Sequence, residues 1–187
     1  VSIDTLSSSI NNILIEKPGG INLNDLIELK KYNKNKKIFI AYNRRFLSSV
    51  MCLKKIIRKT KIESVFFSFN EQSKLIEKLK HPKVIKENWV FANSSHIIDL
   101  VFFIIGIPKK IKSFNRGHLS WHNSSIFKGF GISNKNIPFS YATDWKSPGR
   151  WTIEIMTKKR RYILSPLEKI QYMDWSDFNL KELSLNS

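Results

Sequence analysis

The chain has 187 residues, 42% of them hydrophobic and 12% aromatic, enough for one ordinary core with part of a second unit and too apolar for disorder. Its formal net charge is +17. The cations are mostly Lys, scattered among Ile and Asn ("KKYNKNKKIFI", "GISNKNIPF") as in an AT-rich coding sequence, which predicts loose attraction to polyanions and argues against a dedicated nucleic-acid binder.

Residues 12–16, "NILIE", predict a short buried strand closed by Pro18 and the pair Gly19-Gly20. Asn22 or Asn24 can cap a helix running to about Tyr32, with Leu23, Leu26 and Ile27 on one face. "NKNKK" reads as a polar turn and "KIFIA" as a second buried strand. Strand, helix and strand form a crossover unit, and the right-handed rule makes the strands parallel. Two parallel strands and one helix cannot cover both sheet faces, so this stretch is expected to be the last piece of a larger parallel sheet.

After "YNRRF" the spacing of Phe46, Val50, Leu53 and Ile57 predicts a helix with one apolar stripe. It carries Cys52, the single cysteine, read as a packed small residue; no disulfide can form within the chain, and no Cys/His cluster suggests a metal. "ESVFFSF" is a strand, followed by a basic loop region ending at Trp89. "SSHIIDLVFFIIG" predicts a serine-capped helix stopped by Gly106 and Pro108. Its apolar run contains Asp99 and falls well short of the roughly 20 residues that span a bilayer. No signal peptide opens the chain, and a cytoplasmic location is expected, although a start at Val1 suggests a missing N-terminus.

From Lys109 to about Leu164 come short segments of β character: "IKSFNRG", "LSWHN", "SIFKGFG", "FSYATDW", "RWTIEIMT" and "RRYILS". In "WTIEIMT", Trp151, Ile153 and Ile155 alternate with Thr152, Glu154 and Met156, the mark of an antiparallel sheet with unlike faces. The tail "DFNLKELSLNS" is polar, with no clear end to a domain. The expected fold class is α/β followed by α+β: the end of a parallel unit over residues 1–44, then an α+β domain with a mostly antiparallel open sheet over 45–187.

Two side chains stand where chemistry is expected. Lys17 falls at the carboxyl end of a parallel strand, where open α/β sheets hold ligands, with Pro18 stiffening the backbone behind it; a surface lysine in a tight turn is the other reading. His96 falls in the first turn of its predicted helix, where the dipole disfavours the imidazolium. Asp99, three residues on, either bonds that ring or counters an arginine; His96 itself either acts chemically or packs at a helix start.

In order, "ILIEKPGG", "IFIAYNRRF" and "NSSHIIDL" resemble three signatures of the glucose–fructose oxidoreductase / inositol dehydrogenase (Gfo/Idh/MocA) family. The stretch "FSYATDWKSPGRWTIEIMTKKRRYILSPLEKIQ" is similar to the sheet region of its members from surface-polysaccharide biosynthesis. The resemblance runs from about Asn11 to Gln171. It implies a Rossmann domain that binds NAD or NADP, and hydride transfer between the nicotinamide and a sugar or nucleotide-sugar carbon. Glu16, Lys17 and Pro18 would stand beside the nicotinamide, Lys17 and His96 would be catalytic, and Tyr42, Asn43, Arg45 and Asn93 would line the substrate pocket. One of the two arginines, Arg44 or Arg45, has pairing with Asp99 as its alternative role. The resemblance also implies a homo-oligomer formed through the open sheet face, to which Trp121, Trp145 and Trp151 contribute as core, interface or sugar contacts.

Two departures stand out. The family often carries an aspartate four residues before the histidine, where this chain has Ala92 beside Asn93. The Gly-rich phosphate turn that opens a Rossmann domain is absent; "GFGIS" sits in the sheet region. The chain is therefore expected to be a fragment, truncated also at the C-terminus, and to bind NAD(P) poorly or not at all. The competing expectation is an inactive truncated paralogue that acts only through self-association of the sheet.

Overall fold

The computed structural model describes residues 9–32 and 36–185, so the turn expected around residues 33–35 lies outside the described residues. β1 (Asn12–Ile15) and β2 (Lys37–Ile40) pair in parallel, with α1 (Leu23–Tyr32) between them in the chain. Asn22 Oδ1 accepts a hydrogen bond from the Asp25 amide, and Asp25 Oδ2 accepts one from the Ile21 amide, so Asn22 starts the helix. Leu29, Tyr32 and Ile38 pack on the buried Ile13 and Ile15. Leu23 and Ile27, expected on that face, are exposed instead. A short helix crossing two short strands meets them only over its last turns.

A 3₁₀ turn (Asn43–Phe46) leads into α2 (Ser48–Ile57). Val50 and Leu53 of α2 are fully buried, whereas Phe46 is exposed. Leu47, with φ −58° and ψ 138°, breaks the helical path between them, so the stripe does not extend back to Phe46. β3 (Ile62–Phe69) follows, burying Val65, Phe67 and Phe69. The basic stretch expected as loop holds two short helices, α3 (Ser73–Lys78) and α4 (Lys83–Glu87); between them only Ile76 is buried, too little to leave a periodic signal.

The helix with the apolar run does not begin at a serine cap. A π-helical turn (Val90–Ser94) continues directly into α5 (Ser95–Ile105), Ser94 has helical φ and ψ, and it makes no capping bond. His96 therefore lies inside a continuous helical path, and the helix-end dipole expected to act on it is displaced by more than a turn. Gly106, at φ +86°, ends the helix by donating its amide to Phe102 O.

The remaining strands are β4 (Pro108–Arg116), β5 (Ile126–Ser133), β6 (Pro138–Asp144), β7 (Trp151–Thr157), β8 (Arg160–Leu164), β9 (Gln171–Asp174) and β10 (Lys181–Glu182). With β3 they form one sheet of order β10-β9-β8-β7-β3-β6-β5-β4, antiparallel throughout except for β3 against β6. The segment "LSWHN" contributes only a Leu119–His122 bridge, because the His122 ring bonds the Ser124 backbone and closes a turn. The tail adds β10 to the sheet edge. Ile97, Leu100, Val101 and Ile105 of α5 join Phe67, Ile153, Ile155 and Leu164 of the sheet in one core. The fold is a mixed sheet with flanking helices, of α/β class.

Candidate active site

Lys17 follows β1, and its ammonium donates to the carbonyl of Ala92, in the π-helical turn just before His96. The contact ties the segment after β1 to the helical turn ahead of α5, through residues 75 apart in the chain. His96 is 6% exposed. Its Nδ1 is buried with no hydrogen-bond partner among the described residues. The ring meets Tyr42 edge-on at 5.8 Å between centroids and Trp151 at 6.3 Å. Burial pulls the His96 pKa down from 6.5 to about 4, helped by the cations Lys17 and Arg44 and opposed by Asp99 and Glu16. Burial likewise holds the Lys17 ammonium below its ordinary value; Glu71 and Glu16 oppose this, and Arg44 adds to it. The arrangement is a neutral imidazole beside a cation, the pair that accepts a proton from a hydroxyl and steadies the charge left on its oxygen.

Asp99 turns away from the ring to Arg45. Arg45 Nε donates to Asp99 Oδ2 at 2.7 Å, Nη2 donates to Oδ1, and the guanidinium lies 4.7 Å from the Phe103 ring centre. Of the two alternatives for Asp99, the arginine is the one observed, and Arg45 is the arginine. The Asp99 side chain is 16% exposed and that of Arg45 35%. Asp99→Ala, which strands the guanidinium, is expected to cost about 1–3 kcal/mol in urea unfolding, with part recovered in Asp99→Ala/Arg45→Met. Equal stability of the single variant and wild type would show the pair contributes nothing.

Asn43 is exposed in the 3₁₀ turn. Asn93 is half-buried, and its Nδ2 donates to both carboxylate oxygens of Glu71 at 3.1 and 3.2 Å. Glu71, which no motif singled out, also accepts from Ser94 Oγ at 2.8 Å and from Trp151 Nε1 at 3.2 Å. The Trp89 indole faces the same carboxylate without reaching hydrogen-bond geometry. Burial raises the Glu71 pKa, and its donors oppose that rise. One signal for it was available: Asn70-Glu71 directly follows the apolar β3, the strand-end rule already applied to Lys17.

Glu71, Trp89, Asn93, Arg150 and Trp151 line a cavity of about 580 Å³. A second one of about 300 Å³, between α5 and β4–β5, is walled largely by Phe67, Phe69, Phe102 and Phe127 and offers little chemistry. Trp145 is buried, donating its Nε1 to Phe69 O, and Trp121 stacks on it, so these two serve the packing. Trp151 is half-buried and lines the cleft. Among the described residues no cluster of His, Cys, Asp and Glu could hold a metal ion, and no helix is long and apolar enough to cross a membrane.

No protein-family model matches the chain, and neither does any curated protein. Solved structures do. Levoglucosan dehydrogenase in complex with NADH superposes at a TM-score of 0.74 and 15% identity, over 92% of this chain and 54% of that one. An NAD binding oxidoreductase from Klebsiella pneumoniae matches at 0.73 and 12% identity, with the same two coverages. An oxidoreductase from Agrobacterium radiobacter, in complex with NAD⁺, L-tartaric acid and magnesium, matches at 0.72 and 11%, again over 92% and 54%. The chain thus spans about half the length of these solved structures. Across nearly its whole length, the chain has the fold of a part of these oxidoreductases.

Proposed function

We propose that the chain is the catalytic and substrate-binding portion of an NAD(P)-dependent oxidoreductase of Gfo/Idh/MocA type, acting on a sugar or nucleotide sugar. The observation that carries this reading is the meeting of Lys17 with the helical turn of His96, whose neutral, buried imidazole makes no hydrogen bond that would occupy it. The solved structures of similar fold that hold NADH or NAD⁺ support it, as does levoglucosan dehydrogenase in complex with L-sorbose.

The residues present fit the nicotinamide end of such a cofactor: Lys17 lies beyond β1, and His96, with a buried Nδ1 that has no hydrogen-bond partner among the described residues, follows the turn that Lys17 meets. The sequence holds no Gly-rich turn for the pyrophosphate. When bound, the nicotinamide supplies the hydride acceptor or donor. His96 Nε2 takes the hydroxyl proton of the substrate, or returns it in the reductive direction. Lys17 Nζ bonds the same oxygen and stabilises its developing charge. Asn93, Tyr42 and Asn43 orient the sugar, Glu16 and Pro18 flank the nicotinamide with Lys17, and Arg45 serves the pocket through Asp99. In this reading residues 1–44 are the end of the dinucleotide-binding domain, and residues 45–187 form the substrate and oligomerisation domain. The protein works in the cytoplasm, in surface-polysaccharide synthesis, as a homo-oligomer joined through the open sheet face that exposes Phe114 and Phe130.

Titration of the purified chain with NADH, followed by fluorescence and heat, tests the proposal when run with a panel of sugars. Weak binding, near millimolar, is expected without the phosphate turn. A sugar-dependent change in NADH fluorescence, lost in Lys17→Ala and in His96→Ala, supports the reading. A fluorescence response identical in wild type and both variants, alongside concentration-dependent self-association, favours the inactive paralogue.

A further inference from the structure

The carboxylate missing at position 92 has a counterpart beside the π-helical turn that carries Ala92. Ala92 offers Lys17 only its backbone carbonyl. Glu71 reaches the same neighbourhood from the end of β3, 21 residues earlier in the chain. It is 7% exposed and lies against the π-helical turn through Asn93 and Ser94, and against β7 through Trp151. All three are donors, the set an ionised carboxylate needs to remain charged when buried.

We propose that Glu71 is a positioning residue of this cleft: it clamps the Asn93 amide and the Ser94 turn that carries the Ala92 carbonyl, and supplies the buried negative charge facing Lys17. The inference rests on the assignment of Lys17 and His96 to the chemistry, and gives that pair its missing acidic partner.

The charges that reach Lys17 are Glu71, Glu16, Arg44 and, when protonated, His96. Glu16 is exposed and solvent screens it, while Glu71 is enclosed and screened less. An aspartate four residues before the histidine would act from the helix itself. Glu71 acts from the sheet, so the clamp also ties the helical turn to the ends of β3 and β7. Glu71→Gln keeps one acceptor oxygen for Ser94 and Trp151 and puts an NH₂ where Asn93 now donates; a purely structural role would leave Lys17 unmoved by that exchange.

The test is the titration of Lys17 in the 187-residue chain, read by NMR of reductively ¹³C-methylated lysines with Lys17→Arg to assign the signal. No cofactor or sugar is present, so its outcome is independent of whether the chain is an oxidoreductase. Glu71→Gln is expected to lower the Lys17 midpoint, and Glu16→Gln by clearly less. Glu71→Asp keeps the charge and should retain most of the midpoint, while the Asn93 side-chain amide exchanges about tenfold faster or more as its two bonds loosen. Equal shifts in Glu71→Gln and Glu16→Gln would overturn the proposal. Should Glu71→Gln fail to fold, an Asn93 exchange rate in Glu71→Asp unchanged from wild type would overturn it instead.

Discussion

His96 is expected to stay neutral on titration down to about pH 4, well below the other imidazoles of an unfolded chain. The cause is burial first, then the cations Lys17 and Arg44, with Asp99 and Glu16 pulling the other way. Asp99 opposes only in part, because it is already engaged by Arg45. The sign of the linked stability follows. Between the unfolded value near 6.5 and the folded value of about 4, the unfolded chain binds more protons. Stability contributed by the neutral ring is therefore fully present above pH 6.5 and is lost as pH falls through that window. His122 has the same sign, lowered by burial, so His96→Gln is needed to isolate the contribution. Urea unfolding at pH 7 and at pH 5 should show a smaller loss in His96→Gln than in wild type. Lys17→Met should raise the His96 midpoint towards 6.5. A wild-type midpoint at 6.5 or above would show that burial and the two cations do not depress the ring.

Phe67→Ala is expected to destabilise the protein by about 3–5 kcal/mol. Phe67 is 1% exposed in the middle of β3, with the rings of Tyr141, Phe69 and Phe102 at 5.3, 6.3 and 6.3 Å. It also walls the aromatic cavity of about 300 Å³, so its removal enlarges a void that is already present. Neighbours held by the sheet cannot close that gap, which puts the cost toward the top of the range. Phe67→Leu keeps most of the volume and should cost about 1–2 kcal/mol. A loss under about 1 kcal/mol for the alanine variant would mean that β3 does not anchor the core.

Glu71 and Lys17 show where reading along the chain stops. Both follow apolar strands, and the same strand-end rule applies to each. Lys17 stood out because it sits in a recognisable motif before Pro18. Glu71 sits in "FNEQSK", at the head of a lysine-rich stretch whose two short helices leave no periodicity, and its partners Ser94 and Trp151 are 23 and 80 residues away. A buried carboxylate becomes conspicuous only when its donors are seen around it. The π-helical turn was equally silent, since nothing local distinguishes a serine that caps a helix from Ser94, whose hydroxyl is drawn off by Glu71. Asp99 lay between: its three-residue offset from His96 left ring and arginine both open, and only the bidentate contact with Arg45 chose.

By itself the sequence determined what depends on neighbours in the chain. The apolar runs behind β1, β3, α5 and β5 to β8 are local properties of side-chain order, as is the glycine stop at Gly106. The structure chose Asn22 over Asn24 as the cap, and it left β2, expected to be buried, with Phe39 exposed. The tertiary structure alone decided which strands lie side by side. β3 is inserted between β6 and β7, which begin about 70 and 80 residues further on, in one parallel and one antiparallel pairing. It also decided which of several polar residues share one cleft. Those choices depend on long-range burial and on the hydrogen-bonding needs of groups taken out of water, quantities that no short window of sequence contains.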